Sequence, residues 1–259
     1  MNKLIPLLML LVSMPSLAQR EFDIEVIIFK RSVNPEQTSE AWPNTLPEID
    51  LSRAGSLGDA DFREQQQVEL LPDSALELTS QAADLRRHAG FSVLLHTAWR
   101  QDDRGRTSAP TFRLRAGEDY SDNFLPDGSV YSDELVSEPV DDFVEENAAD
   151  PLYELDGTLQ IYVQHYLFAD AVFDLKRPSV REVVIENTQF EEPIEDEESA
   201  AVVAGHMQQI EYTTEVEKFL KSYRLDQKRR MRSGEIHYFD HPLMGMIIQV
   251  RRAPQDDDS

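Results

Sequence analysis

Cysteine is absent from this sequence of 259 residues. Its absence excludes disulfide bonds, thiolate metal ligands and cysteine nucleophiles, and it removes the residue that carries a bacterial lipid anchor. Positive charge is scarce as well, with 25 Lys and Arg against 49 Asp and Glu and a formal net charge of -24. Because nucleic-acid binding needs clustered positive charge for the phosphates, this composition excludes a general nucleic-acid-binding function.

A long apolar run is also lacking. The apolar stretch Leu4–Val12 is shorter than the roughly 20 residues that span a bilayer. With Lys3 before it and the small residues Ser16 and Ala18 after it, it predicts a signal peptide over residues 1–18, cleaved after Ala18. The exported product is expected to have no membrane span. Export without cysteine favours the bacterial periplasm, and free secretion is the alternative.

Recognisable catalytic motifs are missing too. The sequence has no glycine-flanked nucleophilic serine, no Ser-x-x-Lys, no glycine-rich phosphate loop and no dinucleotide fingerprint. His237 and His241 are four positions apart in a segment that favours a strand, which separates them by about 13 Å. They are therefore expected to hydrogen-bond locally rather than to share a metal. We assign no catalytic, cofactor-binding or metal-ligating residue, although a pair of carboxylates for glycoside hydrolysis stays open.

The apolar periodicity predicts an α+β fold with a mainly antiparallel sheet and one or two helices on one face. Long acidic loops are predicted near 116–150 and 187–206, within a single domain over 19–250 that is followed by a polar tail, 251–259. The predicted elements are strands at 22–29, 91–100, 111–115 and 181–186, a long central strand at 155–175, helices at 76–88 and 209–220, and a closing hairpin within 223–250.

The few cations are concentrated in two segments, 86–115 and 218–232. Two interpretations remain open. The cations pair with the protein's own acids, or the two segments pair in one sheet and pool their arginines beside an aromatic ring. A pooled surface suits a carboxylate-bearing polymer, since guanidinium groups bind carboxylates bidentately and aromatic rings stack on sugars. The candidate residues for binding such a polymer or a partner are Lys228, Arg229, Arg230, Arg232, Trp99, Arg100 and Tyr238.

Five segments in this order resemble the CsiV family of periplasmic proteins from gammaproteobacteria. They are EVIIF at 25–29, EAWP at 40–43, HTAWRQ at 96–101, LDGTLQIYVQHYLF at 155–168 and RRMRSGEIHYFDHPLMGMIIQV at 229–250. The chain departs from the family pattern at Phe168, where a histidine is expected. The resemblance implies a non-catalytic peptidoglycan-binding accessory factor that supports cell-wall assembly through a lipoprotein activator of a penicillin-binding protein. The alternatives are a peptidoglycan hydrolase that uses paired carboxylates, and an adaptor that binds only proteins.

Overall fold

A computed structural model describes residues 20–131, 150–187 and 211–254. The predicted signal peptide and parts of both predicted acidic loops lie outside these residues. The described strands are β1 (Glu21–Arg31), β2 (Ala54–Ser56), β3 (Glu69–Leu70), β4 (Phe91–Asp102), β5 (Thr111–Asp119), β6 (Tyr153–Gln164), β7 (Tyr166–Asn187), β8 (Glu211–Met231), β9 (Ile236–Asp240) and β10 (Met244–Arg252), and the α-helices are α1 (Ala60–Gln65) and α2 (Thr79–Arg87).

The strands form two five-stranded sheets. Sheet A has the order β3-β4-β1-β10-β9, and sheet B has the order β2-β5-β6-β7-β8. All pairings are antiparallel except that of the short β2 with β5. The prediction of an α+β fold that is mainly antiparallel sheet is therefore confirmed.

The main hydrophobic core lies between the two sheets. Alternate residues of β1, such as Ile24 and Val26, are fully buried there, because side chains of a strand alternate between its two faces. Sheet B contributes Leu159 and Phe173 to the same cluster. Trp99 of β4 is also completely buried in it, so burial of apolar area holds the sheets face to face.

The second face of sheet A is covered by helix α2. Ile27 of β1 packs there against Leu78 and Ala82, which confirms the predicted helix at 76–88 in both position and packing. Beside them, the buried carboxylate of Glu25 accepts hydrogen bonds from the backbone N–H groups of Glu77 and Leu78, each at 2.8 Å. Glu25 therefore fixes the start of the helix on the sheet.

Three predicted elements differ from the structure. The predicted single strand at 155–175 is two antiparallel strands, β6 and β7, because the chain reverses at His165, whose φ is 64°. The predicted helix at 209–220 is wrong, since its described part belongs to strand β8. Pairing with β7 along the whole of β8 outweighs the local preference of that segment.

The predicted closing hairpin within 223–250 is also wrong as one unit. Strand β8 lies at the edge of sheet B, whereas β9 and β10 pair with each other in sheet A. The turn at Ser233-Gly234 joins the two sheets, and Gly234 has φ 85°, a conformation that glycine adopts without steric cost. The basic half and the apolar half of this stretch are thus in different layers.

The outer face of sheet B is polar. No described helix covers it, and the loop that includes residues 44–51 crosses it between β8 and β2. Ion pairs such as Arg113–Asp156 and Arg224–Asp174 lie on this face. Among the described residues, no helix is long and apolar enough to span a bilayer.

Candidate functional site

The four cations at 228–232 are divided by the alternation of strand β8. Lys228 and Arg230 stand opposite Asp170 and Phe168 of β7, so they point to the outer face of sheet B. Arg229 points to the inner side, where its guanidinium carbon lies 5.1 Å from the centre of the Phe239 ring. Arg232 follows the strand and forms an ion pair with Glu235 at 3.5 Å.

Aromatic rings lie beside the two outward cations. Tyr162 and Phe168 stack with ring centres 5.4 Å apart and an interplanar angle of 19°. The ammonium nitrogen of Lys228 lies 5.5 Å and 5.6 Å from these two rings. The guanidinium carbon of Arg230 lies 4.4 Å from the ring of Tyr166, which is 56% exposed. Tyr162 is buried, with 1% of its surface exposed, and its ring backs that of Phe168. We call these residues, Tyr162, Tyr166, Phe168, Lys228 and Arg230, the aromatic–basic surface.

The register of three strands assembles this surface. Tyr162 of β6, Phe168 of β7 and Arg230 of β8 are consecutive partners across sheet B, and directly opposite residues share a face. The reversal at His165 places Tyr166 at the end of the sheet. The rings thus form one row on sheet B, and the cations lie over it.

Lys228, Arg229 and Arg230 form no ion pair with any acid in the described ranges 20–131, 150–187 and 211–254. Other cations of the two basic segments do. Arg100, for example, binds Asp23 bidentately at 2.7 and 3.1 Å. The interpretation that the cations neutralise the protein's own acids therefore fits Arg100 but not the centre of the second basic segment.

A polar cleft of about 420 Å³ adjoins the aromatic–basic surface on the same face. Arg106, Gln160 and Asp170 line it. Arg106 pairs with Asp170 at 3.5 Å, and the Gln160 amide donates to the backbone oxygens of Arg106 and Ala109, each at 3.0 Å. Further hydrogen-bonding groups for a polar ligand are therefore present beside the rings.

The remaining three predicted residues lie elsewhere. Trp99 is fully buried, and its Nε1 donates to Gln101 at 2.8 Å, so its ring packs in the core and has no exposed face for a sugar. The carboxylate of Asp23 holds Arg100 on the outer side of sheet A and raises the pKa of that guanidinium. Tyr238 lies on that side too, where it donates to Asp240 at 2.9 Å and stacks on Phe29.

The two basic segments do not pair in one sheet, which corrects that expectation. Strand β4 belongs to sheet A, while β8 belongs to sheet B and is separated from β5 by β6 and β7. The segment 86–115 spans α2, β4 and β5, so its arginines are distributed over both sheets. Of the seven candidates, only Lys228 and Arg230 share the aromatic–basic surface.

Sequence reasoning missed the three rings of the surface. Tyr162, Tyr166 and Phe168 lie within the segment that was predicted as one strand, and in one strand they would not return to the same end of the sheet. The signal for a reversal was weak, because the turn centres on His165 rather than on glycine, asparagine or proline. A turn there brings Tyr162 opposite Phe168.

His237 and His241 both interact locally. The Nε2 atom of His237 lies 3.1 Å from the backbone nitrogen of Arg232, and Nδ1 of His241 accepts the N–H of Leu243 at 3.2 Å. His241 is buried under the indole of Trp42, with ring centres 4.9 Å apart. No group of three His, Asp or Glu side chains that could hold a metal ion occurs among the described residues.

The burial of His241 predicts a loss of stability in acid. Burial lowers the pKa of His241 from 6.5 to about 4, so the unfolded chain takes up this proton at a higher pH than the folded chain. The free energy of unfolding is expected to fall by about 2 kcal/mol as the pH drops from about 6.5 to about 4 through this group. Urea unfolding at about pH 7 and pH 4.5 measures the change.

The control for this titration is His241→Asn, which keeps a neutral acceptor for the Leu243 N–H at every pH. The carboxylates still titrate in that variant, so the contribution of His241 is the difference between the two pH dependences. Equal pH dependences of wild type and variant would contradict the prediction.

Comparison with known protein families identifies the family of the chain. The family model described as "Peptidoglycan-binding protein, CsiV" matches residues 3–253 of the chain. No curated protein and no solved structure matches the chain.

Proposed function

The chain belongs to the CsiV family of peptidoglycan-binding proteins, and on this premise we propose that it is a non-catalytic wall-binding factor whose ligand contacts the aromatic–basic surface. Membership of this family implies a cell-wall-associated location. The finer parts of the proposal are a periplasmic location after removal of residues 1–18 and a role in wall assembly through a lipoprotein activator of a penicillin-binding protein.

The observation that carries the site assignment is the set of uncompensated cations beside aromatic rings. In a chain with a net charge of -24, Lys228, Arg229 and Arg230 have no acidic partner among the described residues. Peptidoglycan consists of sugars, whose apolar faces stack on aromatic rings, and of stem peptides, which carry carboxylates. Tyr166 and Phe168 suit the sugars, and Lys228 and Arg230 suit the carboxylates.

The described carboxylates whose pKa values are displaced do not supply a general acid. A glycosidase needs one carboxylic acid whose pKa is raised so that it can donate a proton. Within the described ranges, the carboxylates with displaced pKa values, Glu25, Asp50, Asp119, Asp127 and Asp150, all have lowered ones. They are bound by arginines, hydroxyl groups or backbone N–H groups, and such groups stay ionised.

Sedimentation with purified sacculi tests the proposal. Residues 19–259 are expected to pellet with sacculi at low ionic strength. The pelleted fraction should fall as the salt rises from about 0.1 to 1 M, because the Debye length shrinks from about 10 to about 3 Å. Stacking on Tyr166 and Phe168 is less sensitive to salt and should leave a residual fraction.

Three outcomes distinguish the alternatives. Absence of wild-type protein from the pellet at low salt would refute wall binding. Muropeptides that appear in the supernatant, detected by chromatography, would show a hydrolase instead. If the protein crosslinks in cells to a membrane lipoprotein but does not pellet with sacculi, it is an adaptor that binds only proteins.

A further inference from the structure

A second cleft, of about 390 Å³, opens on the outer face of sheet B. Its lining includes residues of the segment 44–51, which we call the strap, and of the turn 126–128. Arg224 fixes the strap by donating to the backbone oxygen of Pro47 at 2.6 Å. Asp156, Asp174 and Lys176 lie on its floor. The cleft is separate from the aromatic–basic surface, since it is lined by different residues.

Lys176 is poorly coordinated for a largely buried ammonium group. Within the described part of the chain, its Nζ contacts only the backbone oxygen of Tyr153 at 3.4 Å and Asp156 at 3.6 Å. Burial lowers its pKa below the ordinary value. An ammonium group has three N–H donors. Both contacts of Lys176 are longer than a usual charge-assisted hydrogen bond, which measures about 2.7–2.9 Å.

The neighbouring carboxylates are already occupied by arginines. Asp156 accepts two hydrogen bonds from Arg113 at 2.9 and 2.7 Å, and Asp174 accepts two from Arg224, both at 2.8 Å. Lys176 is therefore the cation of this group that lacks a short charge-assisted contact. Glu48 and Asp127 also line the cleft, so the ammonium group of Lys176 is a local binding group rather than part of a net positive surface.

The walls of the cleft are partly apolar. Leu46 and Ile49 of the strap line it together with Leu220 of β8. A cleft of this size holds a small ligand, and apolar side chains beside the ammonium group of Lys176 suit short side chains next to a carboxylate. Asp127 also lines the cleft. Its carboxylate accepts hydrogen bonds from the N–H and the hydroxyl group of Ser129 at 2.9 and 2.6 Å.

We infer that this cleft binds the C-terminal carboxylate of a short peptide at the ammonium group of Lys176, and that the peptide is the stem of peptidoglycan. The inference rests on the proposed function. The protein would then contact the sugar at the aromatic–basic surface and the free end of the stem in the cleft. It would favour wall material whose stems end in a free carboxylate.

The two sites are within reach of one ligand. Lys176 lies six residues beyond Asp170 on β7, about 20 Å along the strand. An extended stem of four residues covers up to about 14 Å, and the lactyl group and sugar that carry it cover the rest. A sugar beside Asp170 therefore allows its stem to end in the cleft.

Calorimetric titration of residues 19–259 tests the inference with four probes. These are a wall disaccharide that carries a tetrapeptide stem, the same disaccharide without peptide, the free tetrapeptide, and the tetrapeptide with an amidated C-terminus. The disaccharide with a stem is expected to bind at least about tenfold more tightly than the one without, as one charge-assisted contact implies. Amidation of the free tetrapeptide should weaken its binding by a similar factor.

Two cleft variants locate the effect. Lys176→Met removes the ammonium group while Asp156 and Asp174 keep their arginines. The fold should therefore persist, which a thermal melt checks. The substitution is expected to abolish the preference for the stem without changing the affinity for the peptide-free disaccharide. Leu46→Trp fills the cleft from a loop and should have the same effect. Lys228→Ala/Arg230→Ala should weaken the binding of both disaccharides and leave the effect of amidation on the free tetrapeptide unchanged.

The outcomes separate the inference from the proposed function. Any of three results would overturn the cleft assignment. The wild type binds the two disaccharides equally, both cleft variants keep the preference for the stem, or the free and the amidated tetrapeptide bind equally. Binding of the free tetrapeptide that depends on Lys176, without binding of the peptide-free disaccharide, would support the cleft and refute the aromatic–basic surface. If wild type binds none of the probes, both fail.

Discussion

Replacing Lys228 and Arg230 together by alanine is expected to reduce binding of the protein to sacculi by about tenfold to thirtyfold. The two side chains supply the outward-facing cations of the aromatic–basic surface, and each charge-assisted contact with a carboxylate contributes about 1 kcal/mol. Stability should change little, because both side chains are exposed and neither is ion-paired with a described acid. The apparent Kd from sedimentation at a series of sacculus concentrations measures the effect.

The matched control is Arg86→Ala/Arg87→Ala, which makes the net charge more negative by the same amount. Both arginines are exposed in the last turn of α2, and α2 packs on sheet A, away from sheet B. If binding depends only on overall charge, the two double variants will weaken it equally. Such a result, or no loss in Lys228→Ala/Arg230→Ala, would show that the aromatic–basic surface is not the wall-binding site.

Replacing Glu25 by alanine is expected to lower the free energy of unfolding by about 3–5 kcal/mol, the usual cost of leaving buried charge unpaired. The Glu25 carboxylate is fully buried and accepts hydrogen bonds from the backbone N–H groups of Glu77 and Leu78. It also binds His96 and Arg251, each at 2.9 Å. The variant leaves the Arg251 guanidinium and both N–H groups without this acceptor. Urea unfolding at about pH 7 gives the value.

Asp240→Ala is the control, since it removes a carboxylate that is 65% exposed and pairs with Arg31. Its cost should stay below about 1 kcal/mol, as is typical of surface ion pairs. If Glu25→Ala costs no more than Asp240→Ala, the network around Glu25 does not stabilise the fold.

The hydrogen bonds of Glu25 also set the direction in which the free energy of unfolding changes with pH. Burial alone raises the pKa of Glu25, but hydrogen bonds from Glu77, His96, Arg251 and Leu78 outweigh it and hold the pKa below 4.5. The stabilisation by Glu25 is therefore complete above its ordinary pKa and is lost as the pH falls through the lowered value. Glu25→Ala should remove this part of the acid sensitivity.

The strands and the helix that could be predicted have strong local patterns. The strand at 22–29 alternates and is rich in β-branched and aromatic residues, and the structure extends it to Glu21–Arg31. The helix at 76–88 has apolar residues at helical spacing and ends before Gly90, as observed. The segment 209–220 lacks such a pattern, and pairing with β7 decides its conformation.

The candidate site could be predicted only in part, because binding residues belong to a face of a sheet rather than to a stretch of sequence. The basic segment at 228–232 is visible in the composition, but the register of β8 turns Arg229 inward and Lys228 and Arg230 outward. Trp99 resembles a stacking residue in the sequence, yet it lies at the centre of the core. The rings that accompany the cations come from β6 and β7.

The sequence by itself determined the fold class, the positions of several elements and the scarcity of cations outside two segments, because these follow from composition and local periodicity. The family was indicated by the resemblance of five sequence segments. The export signal and the domain limits stay predictions from the sequence. Only the tertiary structure decided which cations remain unpaired, which rings lie beside them and that Lys176 forms the floor of a second cleft. Those properties depend on strand register and on the reversal at His165, which join residues far apart in the chain.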